Sequence, residues 1–478
     1  MRRMFSFDEA VAAVGGTVIN RKGAACASSF VTGVSNDTRT IEKDNLYIAI
    51  KGENFDGHNF CEAAVEKGAL AVVVSSASKV PDGAVGIVVK DTVKALGELA
   101  EHYRFKIGAK VIAVTGSVGK TTTRNLIVAA LEPSFKVHST KGNLNNEIGL
   151  PNTILSAPMD TGVLVLEMGM RGKGQIDYLT GIAHPDIAVI TNVGYSHIGI
   201  LGSRENIRAA KAEIINGLTD HGILIVNGDD DFLLGYARNI IPLNNGLLAV
   251  SADDRVNCSI KNCPAAVRAS NLRSNDGTDF DIEVSVGGKS ISKKNMHIAL
   301  SGEHIVRNAC VAIACAGILN ADMEKTAKGL ASYTPMDGRG KTYEGKHWTI
   351  INDAYNASPE SMAAAFENLN ASKPGSRKIA VLGGMLELGD ESARLHEQTG
   401  EVCGKYKFDK IIVTGDDRDS FIKGLKRLRP DADITVCVDT DDVRAKIHDI
   451  IRDGDTVLFK ASHSFEFEKL AGEFIGND

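Results

Sequence analysis

Several things are missing from this chain, and each absence narrows what it does. No run of about 18 apolar residues occurs, so no membrane-spanning helix is expected. The start, Met1-Arg2-Arg3-Met4-Phe5-Ser6-Phe7, carries charge but no apolar segment of the kind a secretory signal needs. The eight cysteines stand at 26, 61, 258, 263, 310, 315, 403 and 437, and none forms a Cys-x-x-Cys pair. Cys258/Cys263 and Cys310/Cys315 have the wrong spacing for a zinc knuckle. Free, buried thiols in a reducing cytoplasm are therefore expected. There is no excess of positive charge. The net charge of −6 argues against a general nucleic-acid binder. No internal repeat and no low-complexity tract stands out.

What is present is ordinary soluble-protein composition, 43% hydrophobic and 24% charged, spread over 478 residues. That length suggests about three domains. Residues 1–108 read as a small mixed α/β domain, with strands at Leu46–Ile50 and Ala71–Val74 and a short helix at Phe60–Lys67 closed by Gly68. Residues 109–333 read as a parallel sheet built from short apolar runs, Val111–Val114, Val163–Leu166, Ile187–Ile190 and Ile223–Val226. The alternation in Asp281–Val286 adds an antiparallel part. A turn-rich hinge, Ser332–Thr342, leads into residues 334–478, where strands and helices alternate as in a Rossmann-like domain.

The most informative stretch is Thr115-Gly116-Ser117-Val118-Gly119-Lys120-Thr121-Thr122-Thr123, between the strand Val111–Val114 and a helix beginning near Arg124. A glycine-bearing turn there aims backbone N–H groups at one point, where the helix N-terminus adds partial positive charge. Lys120 can reach a terminal phosphate and a threonine hydroxyl can hold Mg²⁺. The loop is a shortened phosphate loop, because Val114 stands where the full pattern has its first glycine. A nucleoside triphosphate is the first ligand to propose, and the segment 109–333 is then a P-loop ATPase-like domain.

Other groups fall at the carboxyl edge of the same sheet. Glu167 ends the strand Val163–Leu166 and is placed either to hold Mg²⁺ or to be a surface carboxylate. His197 follows the strand Ile187–Ile190 and is either a ligand or a structural hydrogen-bonder. Lys211, in Ala209-Ala210-Lys211-Ala212, reads by default as an exposed helical lysine. Hemmed in by alanines, it can instead be neutral and take up CO₂ as a carbamate. The loop Lys141–Pro151 holds Asn143, Asn145 and Asn146, which suit either a polar substrate or an Asx turn. In the last segment, Asp353 follows a strand and can bind a ribose hydroxyl, and Arg339 can bind a phosphate. Gly383-Gly384-Met385 is either a point of close ligand approach or only a tight turn.

Together these segments resemble the Mur ligase family over nearly the whole chain. The shortened loop is the version shared by Mur ligases and folylpolyglutamate synthetases. Asn143-Leu144-Asn145-Asn146-Glu147-Ile148-Gly149, Glu167-Met168-Gly169-Met170, Asn192-Val193-Gly194 with His197, and Asp353-Ala354-Tyr355-Asn356-Ala357-Ser358-Pro359 are similar to the branch that adds D-alanyl-D-alanine to UDP-MurNAc-tripeptide. Ser35-Asn36-Asp37-Thr38-Arg39 and Asp56-Gly57-His58-Asn59-Phe60 resemble the family's UDP-sugar-binding region. The resemblance implies a cytoplasmic, monomeric enzyme that forms an amide bond through an acyl phosphate, with ATP and two Mg²⁺ ions. It implies that Gly116, Ser117, Val118, Gly119, Lys120, Thr121 and Thr122 bind ATP, with Asn308, Arg339 and Asp353 also on the nucleotide. Thr121 and Glu167 would hold one Mg²⁺, and His197 and carbamylated Lys211 the second. Lys120, His197 and Lys211 would carry the catalysis. Ser35, Asp37, Arg39, Asn143, Asn145 and Asn146 would face the UDP-MurNAc-peptide.

Three departures stand out. Ile305 replaces an asparagine of the family's Gly-x-His-Asn-x-x-Asn motif, Ala461-Ser462-His463 replaces Gly-Ser-Arg after Lys460, and the first motif reads Asp-Thr-Arg for Asp-Ser-Arg. The Asp-Asn-Pro-Arg motif of the ligase that adds the third peptide residue is absent. Two rivals remain at this point. One is another ligase of the family or a folylpolyglutamate synthetase-like ligase, which would lack the Asn143–Gly149 signature. The other is a binding protein that kept the fold without the activity, against which Lys120, Glu167, His197 and Lys211 speak.

Overall fold

A computed structural model describes residues 3–20, 29–252, 266–274, 277–286 and 289–476. It is a three-domain α/β structure built on three main sheets. The calls on Cys26, Cys258 and Cys263 lie outside the described residues. Cys61, Cys310, Cys315, Cys403 and Cys437 are buried and form no disulfide.

The first sheet has five strands. Gly33–Ser35, Asn45–Ile48, Ala71–Val74 and Gly86–Val88 run parallel, and Thr17–Ile19 closes one edge antiparallel. Asn45–Ile48 and Ala71–Val74 are buried at every position, as expected for continuous apolar strands covered on both faces.

The helix that follows, Thr92–Ile107, starts on the Asp91 side chain and stops at Gly108, whose φ of +64° ends the helix in a left-handed cap. It packs on the central unit rather than standing free. Tyr103 donates its hydroxyl to the carbonyl of Ala157 at 2.7 Å. Buried Arg104 donates to the carbonyls of Ala183 and His184 at 2.8 and 2.6 Å, and so satisfies the end of the helix Gln175–Ala183.

Among the described residues, the central sheet has nine strands. From one edge they are Val137–Ser139, Val163–Glu167, Lys110–Thr115, Ile187–Ile190, Ile223–Asn227, Gly246–Ser251 and Ala266–Ser274, all parallel. Thr278–Val286 and Lys289–Ile298 then add the antiparallel extension that the alternation at Asp281–Val286 predicts. Lys110–Thr115 lies between Val163–Glu167 on one side and Ile187–Ile190 on the other. The chain therefore leaves that strand in opposite directions. A crevice opens at the carboxyl ends of these three strands, where a doubly wound sheet binds its ligand.

The third sheet runs Lys341–Glu344, Thr349–Asn352, Thr456–Lys460, Lys378–Leu382, Lys410–Val413 and Ile434–Val436, with only the first strand antiparallel. Its helices pack closely where glycine permits. Among the described residues, no helix is long and apolar enough to cross a membrane.

Candidate active site

The phosphate loop is shaped by what it touches. Gly116 has φ +153°, and a Cβ there would fall 1.8 Å from Thr191 Oγ1, so no other residue fits. The neighbouring loop, Thr191–His197, cradles it. Val118 N–H donates to Asn192 Oδ1 at 3.1 Å, Thr191 Oγ1 donates to the Val118 carbonyl at 2.7 Å, and Gly194 N–H donates to Ser117 Oγ at 2.9 Å. The helix Lys120–Leu131 then begins at Gly119 with no side-chain cap. Its first N–H groups are left for a ligand, the ordinary basis of anion binding at a helix start. Lys120 Nζ folds back onto the Gly116 carbonyl at 2.8 Å. Burial lowers its pKa, partly offset by Glu167.

The loop opens onto a cleft of about 2050 Å³ between the central and C-terminal units. Lys120, Thr121, Thr122, Asn143, Asn145, Asn146, Glu167, His197, Asn308, Arg339 and Asp353 all line it. The sequence thus named groups that the fold brings to one place.

Glu167 is buried, not a surface carboxylate. Asn145 Nδ2 donates to its Oε1 at 2.8 Å, and Arg124 Nη1 pairs with its Oε2 at 3.2 Å. Asn146 turns its oxygen back to the N–H of Gly149 at 2.9 Å, starting the helix Gly149–Ser156. For that atom the Asx-turn reading is the correct one.

Lys211 departs from its default reading. It is 1% exposed, in the last turn of the helix Arg204–Ala212. Burial first, and the charge of Lys120 second, hold its pKa well below the usual lysine value. His197 sits at φ +68°, an unusual backbone for a non-glycine residue. Its Nδ1 lies 2.6 Å from Glu387 Oε2, though poorly aligned for a hydrogen bond. Burial lowers its pKa, against the pull of Glu387.

On the C-terminal wall, Lys460 is buried and holds Asp353. Its Nζ lies 2.9 Å from Asp353 Oδ2 and donates to the carbonyls of Asp353 and Asn356. The Arg339 guanidinium lies 3.6 Å over the Tyr355 ring, and His463 packs near the same ring.

The chain matches the family descriptions "Mur ligase family, catalytic domain" over residues 30–104, "Mur ligase middle domain" over 114–316 and "Mur ligase, glutamate ligase domain" over 338–463. It is 38% identical to the UDP-N-acetylmuramoyl-tripeptide--D-alanyl-D-alanine ligase of Bacillus subtilis, with 93% of each chain covered. The chain belongs to the Mur ligase family. Its fold is similar to that of MurF from Acinetobacter baumannii, with a TM-score of 0.86, 27% identity and 99% of each chain covered. It is also similar to MurF from Thermotoga maritima in complex with ADP, with a TM-score of 0.76, 28% identity, and 93% of this chain and 97% of that one covered.

Some residues named from sequence are not on the walls of this Mur ligase cleft. Gly116 lies beneath the loop. Lys211 lies behind the wall. Ser35, Asp37 and Arg39 form a local turn at the edge strand of the first sheet, where Asp37 makes a forked pair with Arg39 and its carboxyl is held down at about 2. Their link to the cleft is indirect. Asn152 Nδ2 donates to Asn36 Oδ1 at 3.1 Å, and Asn152 lies on the helix that begins beside Asn146. His58 is structural. It lies 2.6 Å from Asp56 Oδ1 and its Nε2 accepts the Ser75 N–H. At Gly383 a Cβ would lie 2.6 Å from Ala461 Cβ, so packing against Ala461 accounts for this glycine. Ile305, by contrast, is both packed into the central core and part of the cleft wall.

Three residues escaped the sequence reading. Arg124 looked like an ordinary helical arginine, yet it is 2% exposed. Its signal was position, one turn after Lys120 on the stripe that continues to Ile127 and Leu131. Glu360 and Glu387, both from the C-terminal unit, left no pattern that a single sequence could show.

Proposed function

We propose that this Mur ligase joins D-alanyl-D-alanine to UDP-MurNAc-tripeptide with ATP, giving the pentapeptide, ADP and phosphate. The observation that carries this is the convergence of Lys120, Glu167, His197 and the Asn143–Asn146 loop on one cleft. The printed names of the relatives agree with it. Such an enzyme acts as a monomer in the cytoplasm, where its nucleotide substrates are.

A carboxylate oxygen of the tripeptide attacks the γ-phosphorus, and the bond to ADP breaks. The dipeptide amine then attacks the acyl carbon, and phosphate leaves. The first step brings two anions together, so the site must neutralise charge and fix orientation. Lys120 and the N–H groups of the loop and helix start provide fixed positive character. Asn308, Arg339 and Asp353 orient the nucleotide. Ser35, Asp37, Arg39, Asn143, Asn145 and Asn146 are assigned to the UDP-sugar and its peptide.

The Thr121 hydroxyl and Glu167 would hold one Mg²⁺, and His197 and carbamylated Lys211 a second. The oxygen donors of Thr121, Glu167 and a carbamate fit, while the His197 nitrogen is the unusual member of the set. Mg²⁺ favours oxygen ligands and takes few from protein, the rest coming from water and phosphates. A buried, neutral Lys211 is the form that reacts with CO₂, and the carbamate would be an anionic oxygen ligand. When bound, Mg²⁺ would offset the phosphate charge.

Phosphate release tests this reading. With ATP, UDP-MurNAc-tripeptide and D-alanyl-D-alanine together, phosphate and peptide product appear in equal amounts. Omitting either acceptor, or chelating Mg²⁺, stops product formation. Release that needs neither acceptor rejects the assignment.

A further inference from the structure

Glu360 crosses the cleft. It stands in the first turn of the helix Pro359–Ala371, in the C-terminal unit, yet its Oε1 accepts the N–H of Tyr195 from the central unit at 2.9 Å. A Cβ on Gly194 would fall 2.3 Å from Glu360 Oε1 and 2.4 Å from its carboxyl carbon, so any side chain there pushes the carboxylate out of this position.

A second contact lies close by. Gly199 N–H donates to the carbonyl of Glu387 at 3.0 Å. A Cβ on Gly199 would meet Gly389 N at 2.6 Å, and one on Gly389 would meet Gly199 Cα at 2.7 Å. The two units thus meet backbone to backbone along the segment 194–199. That segment is continuous with the cradle of the phosphate loop, because the Gly194 N–H bonded to Ser117 Oγ is one residue from the Tyr195 N–H bonded to Glu360. One short loop is gripped by the phosphate loop on one side and by the C-terminal unit on the other.

We propose that Glu360 is a positioning residue that seats the C-terminal unit on the cradle of the phosphate loop, so that the geometry for phosphoryl transfer is complete only when the unit is seated. The role in catalysis rests on the ligase reading above; the seating itself does not. A carboxylate suits the task because its bond to an N–H is charge-assisted and directional. Gly194 supplies the bare backbone on which the acid rests.

Three full-length variants test this. Glu360→Ala removes the contact, Gly194→Ala obstructs it, and Glu360→Gln keeps size and an acceptor oxygen for the Tyr195 N–H. Product and phosphate are measured separately with ATP, UDP-MurNAc-tripeptide and D-alanyl-D-alanine. In the two alanine variants kcat falls about 100-fold, the scale of an ångström-sized misplacement, while KM for ATP stays near wild type. Phosphate released per peptide bond also rises above one, because a poorly seated unit admits water to the acyl phosphate. Glu360→Gln keeps most of the activity. Wild-type kcat in Glu360→Ala, a loss confined to KM for ATP, or equal damage in the Gln and Ala variants each overturns the proposal.

Hydrogen exchange of the segment 193–199, with a non-hydrolysable ATP analogue bound, is the activity-independent measurement. Exchange is faster in Glu360→Ala and near wild type in Glu360→Gln; unchanged exchange in Glu360→Ala refutes the seating. A wild-type enzyme that forms no product from the two acceptors counts against the ligase reading alone, and the exchange result still decides the role of Glu360.

Discussion

In the Lys211→Ala enzyme, kcat falls by about 100- to 1000-fold, the usual scale for removing one preorganised charge at a reacting phosphate. Part of the activity returns when acetate or propionate is added. The reason lies in the surroundings of the lysine. It is 1% exposed, and burial together with Lys120 pushes its pKa far down. An ammonium there would repel both Mg²⁺ and Lys120. On the reading proposed above, the amine would take up CO₂ and become an anion that attracts them. Alanine removes both the amine and most of the side chain, and a short carboxylate can occupy the space with its charge in the same region.

A pH dependence follows with a definite sign. Lowering the pH below the depressed pKa protonates the amine, the carbamate is lost, and kcat drops on the acid side. Because the pKa is lowered, that loss comes at a lower pH than it would for an ordinary lysine. Added bicarbonate at neutral pH restores enzyme stripped of CO₂. Wild-type kcat in Lys211→Ala sinks the carbamate reading, and so does a loss that no short carboxylate relieves while the melting temperature is unchanged.

The second large effect is on stability. Arg124→Met costs about 3–5 kcal/mol, because it leaves the carboxylate of Glu167 buried without its counter-ion. Both side chains of this pair are almost fully enclosed, at 2% and 3% exposure, so water screens little of the interaction. Arg124 also donates to the Gly142 carbonyl and to Asn125 Oδ1, and those acceptors lose a partner as well. Adding Glu167→Gln to the methionine variant removes the stranded charge. The double variant is then more stable than the sum of the two single losses implies. Denaturant midpoints of the four proteins measure this, and additive losses would mean that the two groups do not interact.

The fold was legible where the chain's pattern is strong. Short apolar runs named the parallel strands, and alternation at Asp281–Val286 named the antiparallel edge. Turn residues marked the passage into the last unit. The site was legible where function requires a residue type at a fixed place, as with Gly116, Lys120 and the asparagine loop. It was less so where burial decides. Lys211 and Arg124 look like surface residues by composition, and only packing turns them into a buried amine with a lowered pKa and a buried counter-ion. Glu360 and Glu387 were invisible because their partners lie more than 160 residues away, on another unit. Asn146 was ambiguous because one side chain can serve a turn and a ligand with different atoms.

The docking of Thr92–Ile107 on the central unit bears on how this protein divides into pieces. Its Tyr103 and Arg104 end on carbonyls of Ala157, Ala183 and His184, well beyond Gly108. A gene fragment cut at that glycine would therefore carry away the plug and leave behind the socket. The first piece would expose a buried arginine, and the second would expose unsatisfied carbonyls and an apolar face. The useful unit for recombination with other sequences therefore runs through both the helix Thr92–Ile107 and the central unit.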